Sequence, residues 1–348
     1  MVFHQLSIKE VTKVTSQAVE IVFDVPQDLK SDFEYTAGQY LTLRADIDGN
    51  DVRRAYSLSS APHEDHLSVV VKAVQHGTFS NYAMKLRAGD TLQVAPPDGL
   101  FIHESDASAV NHYLNVAAGS GITPIMSIIK SILHTEKDSR VVLIYGNQSQ
   151  SQTIYFEQLN DLQDAHPDRF KVRYSFSREE RQDELFGRVN KANLNYFLKN
   201  DCEDYAFAKA YLCGPEAMIN MATNNLTEKE VVAKENIKFE LFTATESEVE
   251  ITEDSHLTEV KVILDDEEHQ LTMRRDETLL EVMLKNDIDA PYSCQGGICS
   301  SCVGLLEEGK ATMRKNSILT DEEVDEGLTL TCQACPTTAK IVVNFDEV

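Results

Sequence analysis

Near its C-terminal end the chain reads Cys294-Gln295-Gly296-Gly297-Ile298-Cys299-Ser300-Ser301-Cys302, and Cys332 follows after a long gap. This C-x4-C-x2-C…C spacing is one that holds a 2Fe–2S cluster. Two irons bridged by two sulfides need four terminal thiolates. A tight loop must deliver three of them while turning its backbone N–H groups toward the sulfurs. Gly296 and Gly297 permit the φ values and the close approach that such a loop needs, and the small Ser300 and Ser301 fit the same crowding. Zinc is the competing reading, because Cys299-x2-Cys302 and Cys332-x2-Cys335 also form a pair of C-x2-C knuckles. Zinc leaves Cys294 and the Gly-Gly loop without a role, and the knuckles stand further apart than is usual. A disulfide framework is disfavoured because nothing suggests secretion. With a cluster, Cys335 becomes a spare thiol beside the site that serves packing.

A chain of 348 residues has length for two to three domains with real cores. Its first ten residues lack the basic flank and apolar stretch of a signal peptide. No segment approaches the roughly 20 apolar residues of a membrane span. A cytoplasmic protein is expected. The net charge is −25, and it is unevenly spread: residues 244–348 hold 24 Asp and Glu against 8 Lys and Arg, while residues 1–243 hold 33 against 24. Nucleic acid and anionic membranes are disfavoured partners for so acidic a tail. It suits either a basic docking face on a protein partner or a solvated surface kept for solubility.

Three segments follow one another. Residues 1–105 read as a small antiparallel β-barrel, from short runs such as Gln39–Arg44, Leu67–Lys72 and Thr91–Val94 set between turn signals. Residues 106–243 change rhythm: strand-like Tyr113–Ala118, Val141–Tyr145, Lys171–Phe176 and Ala210–Cys213 alternate with helical Pro124–Leu133 and Pro215–Leu226. That pattern implies a parallel α/β sheet. Residues 244–256 form an acidic stretch with little to bury, expected to be an extended, mobile linker. Residues 257–348 read as a compact α+β domain of β-grasp type. A hairpin spans Val260–Leu264 and Gln270–Met273. The capping box Thr278-x-x-Glu281 opens a helix with Leu279, Val282 and Met283 inward, and Lys340–Phe345 is a closing strand.

Chemistry-bearing motifs lie on the first two segments. Arg54-Ala55-Tyr56-Ser57, at a strand end, gathers a guanidinium for a phosphate, an aromatic face for an isoalloxazine ring and a hydroxyl for the flavin N5 region. Gly77-Thr78-Phe79-Ser80 precedes an expected helix, Asn81–Leu86, whose N-terminus is a ready phosphate site. A second phosphate site favours FAD over FMN. Strand Tyr113–Ala118 runs into Gly119-Ser120-Gly121-Ile122-Thr123-Pro124. There the glycines let a pyrophosphate approach, and Pro124 suits the first helical position. Cys213-Gly214-Pro215 repeats the strand-to-helix arrangement where a nicotinamide could lie.

Taken in order, these five motifs resemble the oxygenase-type flavoreductases of the ferredoxin–NADP reductase superfamily that carry a plant-type 2Fe–2S ferredoxin domain at the C-terminus. The nearest likeness within it is to reductases of the phenylacetyl-CoA epoxidase type. The resemblance spans essentially the whole chain. It implies an NAD(P)H-dependent oxidoreductase in which NADPH delivers a hydride to FAD, the cluster takes electrons singly, and an oxygenase component docks on the acidic ferredoxin domain. A Rieske oxygenase or hybrid-cluster protein as acceptor, or a redox-sensing binding module, are the alternatives. The resemblance assigns catalysis to Tyr56, Ser57 and Cys213. It gives FAD contacts to Arg54, Ala55, Val71, Lys72, Gly77, Thr78, Phe79 and Ser80, and nicotinamide-dinucleotide contacts to Gly119, Gly121, Thr123, Pro124 and Gly214. Cluster ligation falls to Cys294, Cys299, Cys302 and Cys332. Phe242 is either an aromatic against the flavin or an ordinary last-strand core residue. Ser177-Arg178, after the third strand of the nucleotide segment, looks like a clamp for a 2′-phosphate. Gln148 stands where relatives often have Arg, so NADH remains possible. Arg178 could equally be a surface charge paired with Glu179 or Glu180.

Overall fold

Six strands with side chains alternating into a common core build the first part of the computed structural model, which describes residues 1–202, 204–242 and 256–348. They are β1 (His4–Thr15), β2 (Ala18–Asp24), β3 (Tyr40–Ile47), β4 (Asn50–Ser57), β5 (Leu67–Lys72) and β6 (Thr91–Val94). They hydrogen-bond in the order β4-β3-β6-β1-β2-β5, and a bridge between Leu58 and Val69 joins the two ends into a barrel. The β3–β4 hairpin turns on Asp48 and Gly49, both with positive φ, the two-residue turn that matches strand twist. Helix α1 (Thr78–Ala83) sends Phe79 and Ala83 into the core with Leu41, Leu43 and Val69. It begins three residues before the expected Asn81. Gly77 is its cap, so Thr78, Phe79 and Ser80 are its first turn and not a preceding loop.

The second part winds a parallel sheet from β7 (His112–Ala118), β8 (Arg140–Asn147), β9 (Phe170–Phe176), β10 (Leu185–Phe186), β11 (Phe207–Gly214) and β12 (Ile237–Leu241), in the order β10-β9-β8-β7-β11-β12. Helices α2 (Ile122–Thr135), α3 (Phe156–Ala165), α4 (Lys191–Asp201) and α5 (Glu216–Glu228) connect them. Chain order runs one way from β7 to β9 and the other way from β7 through β11. The reversal therefore falls between β7 and β11, where sheets of this kind leave a ligand crevice beyond the strand ends. Helix α2 starts at Ile122, so Pro124 is its third residue and not its first. It still lies in the turn whose N–H groups have no partner within the helix.

Barrel and sheet belong to one compact unit, Phe3–Phe242. Ala18, Ala37, Val70 and Phe101 of the barrel part share one apolar core with Ile125, Ile128, Tyr145 and Tyr211. Polar contacts cross the same seam. Tyr155 Oη donates to Glu20 at 2.8 Å, Lys130 Nζ pairs with Glu64 at 3.0 Å, and the fully buried Glu136 carboxylate meets His103 Nε2 at 2.8 Å.

The C-terminal part is a mixed sheet of β14 (Glu267–Arg274), β13 (Leu257–Leu264), β19 (Lys340–Asn344), β15 (Val303–Glu308) and β17 (Leu328–Leu330), hydrogen-bonded in that order. A two-stranded ribbon, β16 (Ala311–Met313) with β18 (Ala334–Pro336), accompanies it, as do α6 (Leu279–Lys285) and α7 (Asp321–Asp325). In the β13–β14 turn, Asp265 and Asp266 both take positive φ, and the Asp346 carboxylate accepts both their N–H groups. The capping box on α6 forms as expected, with Leu279, Val282 and Met283 buried. The expected linker over 244–256 lies, apart from His256, outside the described residues. No helix among the described residues is long and apolar enough to cross a membrane.

Candidate functional site

The end of β4 and the C-terminal edge of the parallel sheet meet at three side chains. Ser57 Oγ donates to Glu240 Oε2 at 3.0 Å. Glu240 on β12 sits in register with Cys213 on β11, which pairs in turn with Ala117 on β7. Burial pushes the Glu240 carboxyl up to about 8, against the lowering effect of the Ser57 hydrogen bond. Near neutral pH it is therefore chiefly the protonated acid. The Cys213 thiol, fully buried, is pushed well above its ordinary range by that burial and, second, by the Glu240 carboxylate. It is thus a neutral thiol. Sequence reasoning missed Glu240, because its partner lies 183 residues away.

Gly121 shows why this edge is built as it is. A Cβ there would stand 2.2 Å from the Cys213 carbonyl oxygen and 2.5 Å from its carbon, so only glycine lets the β7–α2 loop lie on the end of β11. Around that loop, Tyr145 Oη donates to Gly119 O at 2.8 Å and Thr123 Oγ1 donates to Ser120 O at 3.1 Å. Thr123 thus braces the loop from within and is 2% exposed. Lys72, at the end of β5, holds its ammonium 3.8 Å from the position a Cβ would take on Gly119. Burial lowers its pKa, and no acceptor among the described residues meets it.

On β4, Arg54 and Tyr56 face the same way as their cross-strand partners Leu43 and Leu41. Burial raises the Tyr56 phenol, whose ring centre lies 5.5 Å from that of Phe79. Arg54 is exposed, and its acceptor among the described residues is the Arg53 carbonyl at 2.6 Å. In the first turn of α1, Ser80 Oγ accepts from Val74 N at 3.2 Å, which leaves its own proton to donate. Val71 is buried and Ala55 half-buried on the neighbouring strands.

At the ends of β8 and β9, Ser177 N and Arg178 N donate to the carbonyls of Asn147 and Gln148, each at 2.9 Å. This brings Gln148 beside the Ser-Arg pair. The Arg178 side chain is exposed and has no partner among the described residues. Glu179 is engaged elsewhere, with Arg181 at 3.3 Å and Gln150 N at 2.9 Å, so the surface ion pair envisaged for Arg178 with Glu179 is absent. Phe186, on β10 beside this edge, is 57% exposed and was not singled out by sequence. Phe242, just beyond β12, is 36% exposed.

In the C-terminal part the cysteine loop runs between α6 and β15. Gln295 and Gly297 take positive φ, and a Cβ on Gly297 would lie 2.6 Å from the Lys315 carbonyl oxygen. The four thiols fall into two pairs. Cys299 and then the N–H groups of Gly296, Ile298 and Cys299 draw the Cys294 thiol below its ordinary range, and Cys302, with Gly297 and Gln333, does the same for Cys332. Cys299 and Cys302 are pushed up in return. Two pairs ringed by N–H donors fit two bridged irons. Cys335 is buried on β18 and turns to Arg314 instead.

Three family models match the chain: an oxidoreductase FAD-binding domain over residues 5–103, an oxidoreductase NAD-binding domain over 116–224 and a 2Fe-2S iron-sulfur cluster binding domain over 262–337. The chain is 36% identical to one of the subunits of the 1,2-phenylacetyl-CoA epoxidase of Escherichia coli, over 99% of this chain and 98% of that one. It is 34% identical to the ferredoxin reductase component of 3-ketosteroid-9-alpha-monooxygenase from Rhodococcus rhodochrous, over 98% and 96%. Among solved structures, phthalate dioxygenase reductase shares the fold with a TM-score of 0.62 at 20% identity, over 99% of this chain and 98% of that one.

Proposed function

We propose that this chain, which belongs to the family of oxygenase reductases joining FAD-binding, NAD-binding and 2Fe–2S domains, takes its electrons from NADPH and delivers them to the oxygen-activating component of a phenylacetyl-CoA-epoxidase-type monooxygenase. It is an NAD(P)H-dependent oxidoreductase: FAD supplies the conversion of a two-electron hydride into single electrons, and the 2Fe–2S group carries those electrons out. The observation that carries the reading is the meeting of Ser57, Glu240 and Cys213 at the sheet's crevice.

There the chain's own groups have distinct tasks. Ser57 offers a hydroxyl to the flavin N5 region, with Glu240 behind it as a proton reservoir. Cys213, neutral and buried, gives the nicotinamide an apolar, uncharged floor. Tyr56 and Phe242 cover ring faces, and Arg54 with the N–H groups of Thr78, Phe79 and Ser80 neutralises flavin phosphates. Gly77 leads into that turn, while Ala55 and Val71 line it. The first turn of α2, from Gly119 and Gly121 through Thr123 and Pro124, receives the coenzyme pyrophosphate, Gly214 leaves room beside it, and Lys72 serves the flavin. Ser177 and Arg178 hold the 2′-phosphate, a role favoured by the uncommitted Arg178 guanidinium. Cys294, Cys299, Cys302 and Cys332 ligate the cluster.

The working division is 1–105, 106–243, 244–256 and 257–348. The acidic C-terminal domain, in the cytoplasm, is the docking face for a basic patch on the oxygenase. Truncation after Phe242 tests the route. The shortened protein should keep FAD and NADPH-dependent ferricyanide reduction but lose cytochrome c reduction and transfer to the oxygenase. Equal cytochrome c rates with and without residues 243–348 would refute exit through the cluster. NADH outperforming NADPH would refute the coenzyme assignment.

A further inference from the structure

Ser293 immediately precedes Cys294, and its hydroxyl is stranded. The residue is 1% exposed, and Oγ has no hydrogen-bond partner among the described residues. Nearby hydroxyls are committed: Thr331 Oγ1 donates to Cys302 O at 2.9 Å, Ser301 Oγ lies 3.7 Å from Cys299 Sγ, and Ser300 has a partner. Its chain neighbour Tyr292 belongs to the buried core of this part. Native proteins seldom leave a buried polar group unpaired, since the group has given up water for nothing. Ser293 also stands one residue from a thiol that would bind iron.

We propose that the Ser293 hydroxyl donates a hydrogen bond to a sulfide of the 2Fe–2S group and thereby raises the cluster's reduction potential. This rests on the reading that Cys294, Cys299, Cys302 and Cys332 hold the cluster. One-electron reduction adds negative charge that spreads onto the sulfurs. A donor fixed in a low-dielectric loop stabilises that charge more than the oxidised state. Ser293 is a positioning and tuning residue, and it does not itself ligate iron.

The test uses the full-length holoprotein and follows cluster absorption and electron paramagnetic resonance during a dye-mediated redox titration. In Ser293→Ala the reduced-to-oxidised ratio at a fixed poise should fall about three- to tenfold, tenfold being about 59 mV for one electron. Ser293→Thr, which keeps the hydroxyl, should stay near wild type, and the flavin midpoint should not move in either variant. Exchange into D2O should shift the Fe–S stretching bands of wild type more than those of Ser293→Ala. A fully loaded Ser293→Ala protein with the wild-type cluster potential would overturn the proposal, as would Ser293→Thr falling as far as alanine. Should the alanine variant lose its iron, Ser293→Cys replaces it: a weaker S–H donor should give a smaller deuterium shift, and an equal shift would overturn the role. Wild-type protein lacking two irons and two sulfides would instead overturn the cluster reading itself.

Discussion

Replacing Glu240 by Gln should remove a pH dependence that the wild-type chain carries. The folded carboxyl titrates at about 8, against an ordinary value of 4.5. Between those values the folded chain holds a proton that the unfolded chain has released, so stability falls as pH rises from about 4.5 to about 8 and then levels off. Tenfold in a proton-binding constant is about 1.4 kcal/mol, which sets a ceiling of about 5 kcal/mol. Glu240 as a residue is only half-buried by area, so relaxation and water should reduce the realised effect to about 2–3 kcal/mol. Glutamine keeps an oxygen for the Ser57 hydroxyl and has nothing to ionise. The assay is urea unfolding of both proteins at pH 5 to 9, following the transition that releases flavin by its fluorescence. Relative to Glu240→Gln, wild type should lose about 2–3 kcal/mol over that range. Flavin reduction by NADPH, read by stopped flow, should show an inflection near pH 8 in wild type that the variant lacks. A stability gap constant with pH, together with superimposable rate profiles, would refute the reasoning.

Arg178→Ala should raise KM for NADPH roughly ten- to hundredfold, the loss of charge-assisted hydrogen bonds of about 1.5–3 kcal/mol. KM for NADH and kcat should hardly change, and unchanged NADPH kinetics would return Arg178 to the surface. Cys294→Ser should abolish the two irons and two sulfides found by chemical analysis, whereas Cys335→Ser should retain both. Gly121→Ala should cost about 1–3 kcal/mol in thermal or urea unfolding, as overpacking does, because the new methyl meets the Cys213 carbonyl. It should also weaken coenzyme binding, seen as a higher KM for both NADPH and NADH.

The parallel sheet was legible because both its faces are covered, so its strands read as continuous apolar runs such as Val141–Tyr145. The cysteine loop was legible because ligand spacing is local. Strand β1 was not. Leu6 and Ile8 alternate inward, but the register shifts between Ile8 and Glu10 and again between Lys13 and Thr15, so the half-buried Val11 and Val14 fall on opposite parities. A bulge of this kind breaks the period-two signal. The start of α1 was missed because Thr78 and Ser80 are ordinary loop residues in sequence, and only the buried Phe79 anchors the turn. Glu240 was invisible for a different reason. An acid in a short strand reads as surface until Ser57 arrives from the barrel, and nothing within β12 announces it.

The apolar core shared by Ala18, Ala37, Val70 and Phe101 with the helix and strands of the parallel sheet bears on how such chains are assembled by recombination. A crossover near residue 105 that imported a foreign nucleotide half would have to match that seam side chain by side chain, together with the buried His103–Glu136 pair, or leave apolar surface and a carboxylate bare. A crossover after Phe242 meets no such requirement within that unit. Chimaeras made for altered coenzyme preference should therefore exchange Phe3–Phe242 whole.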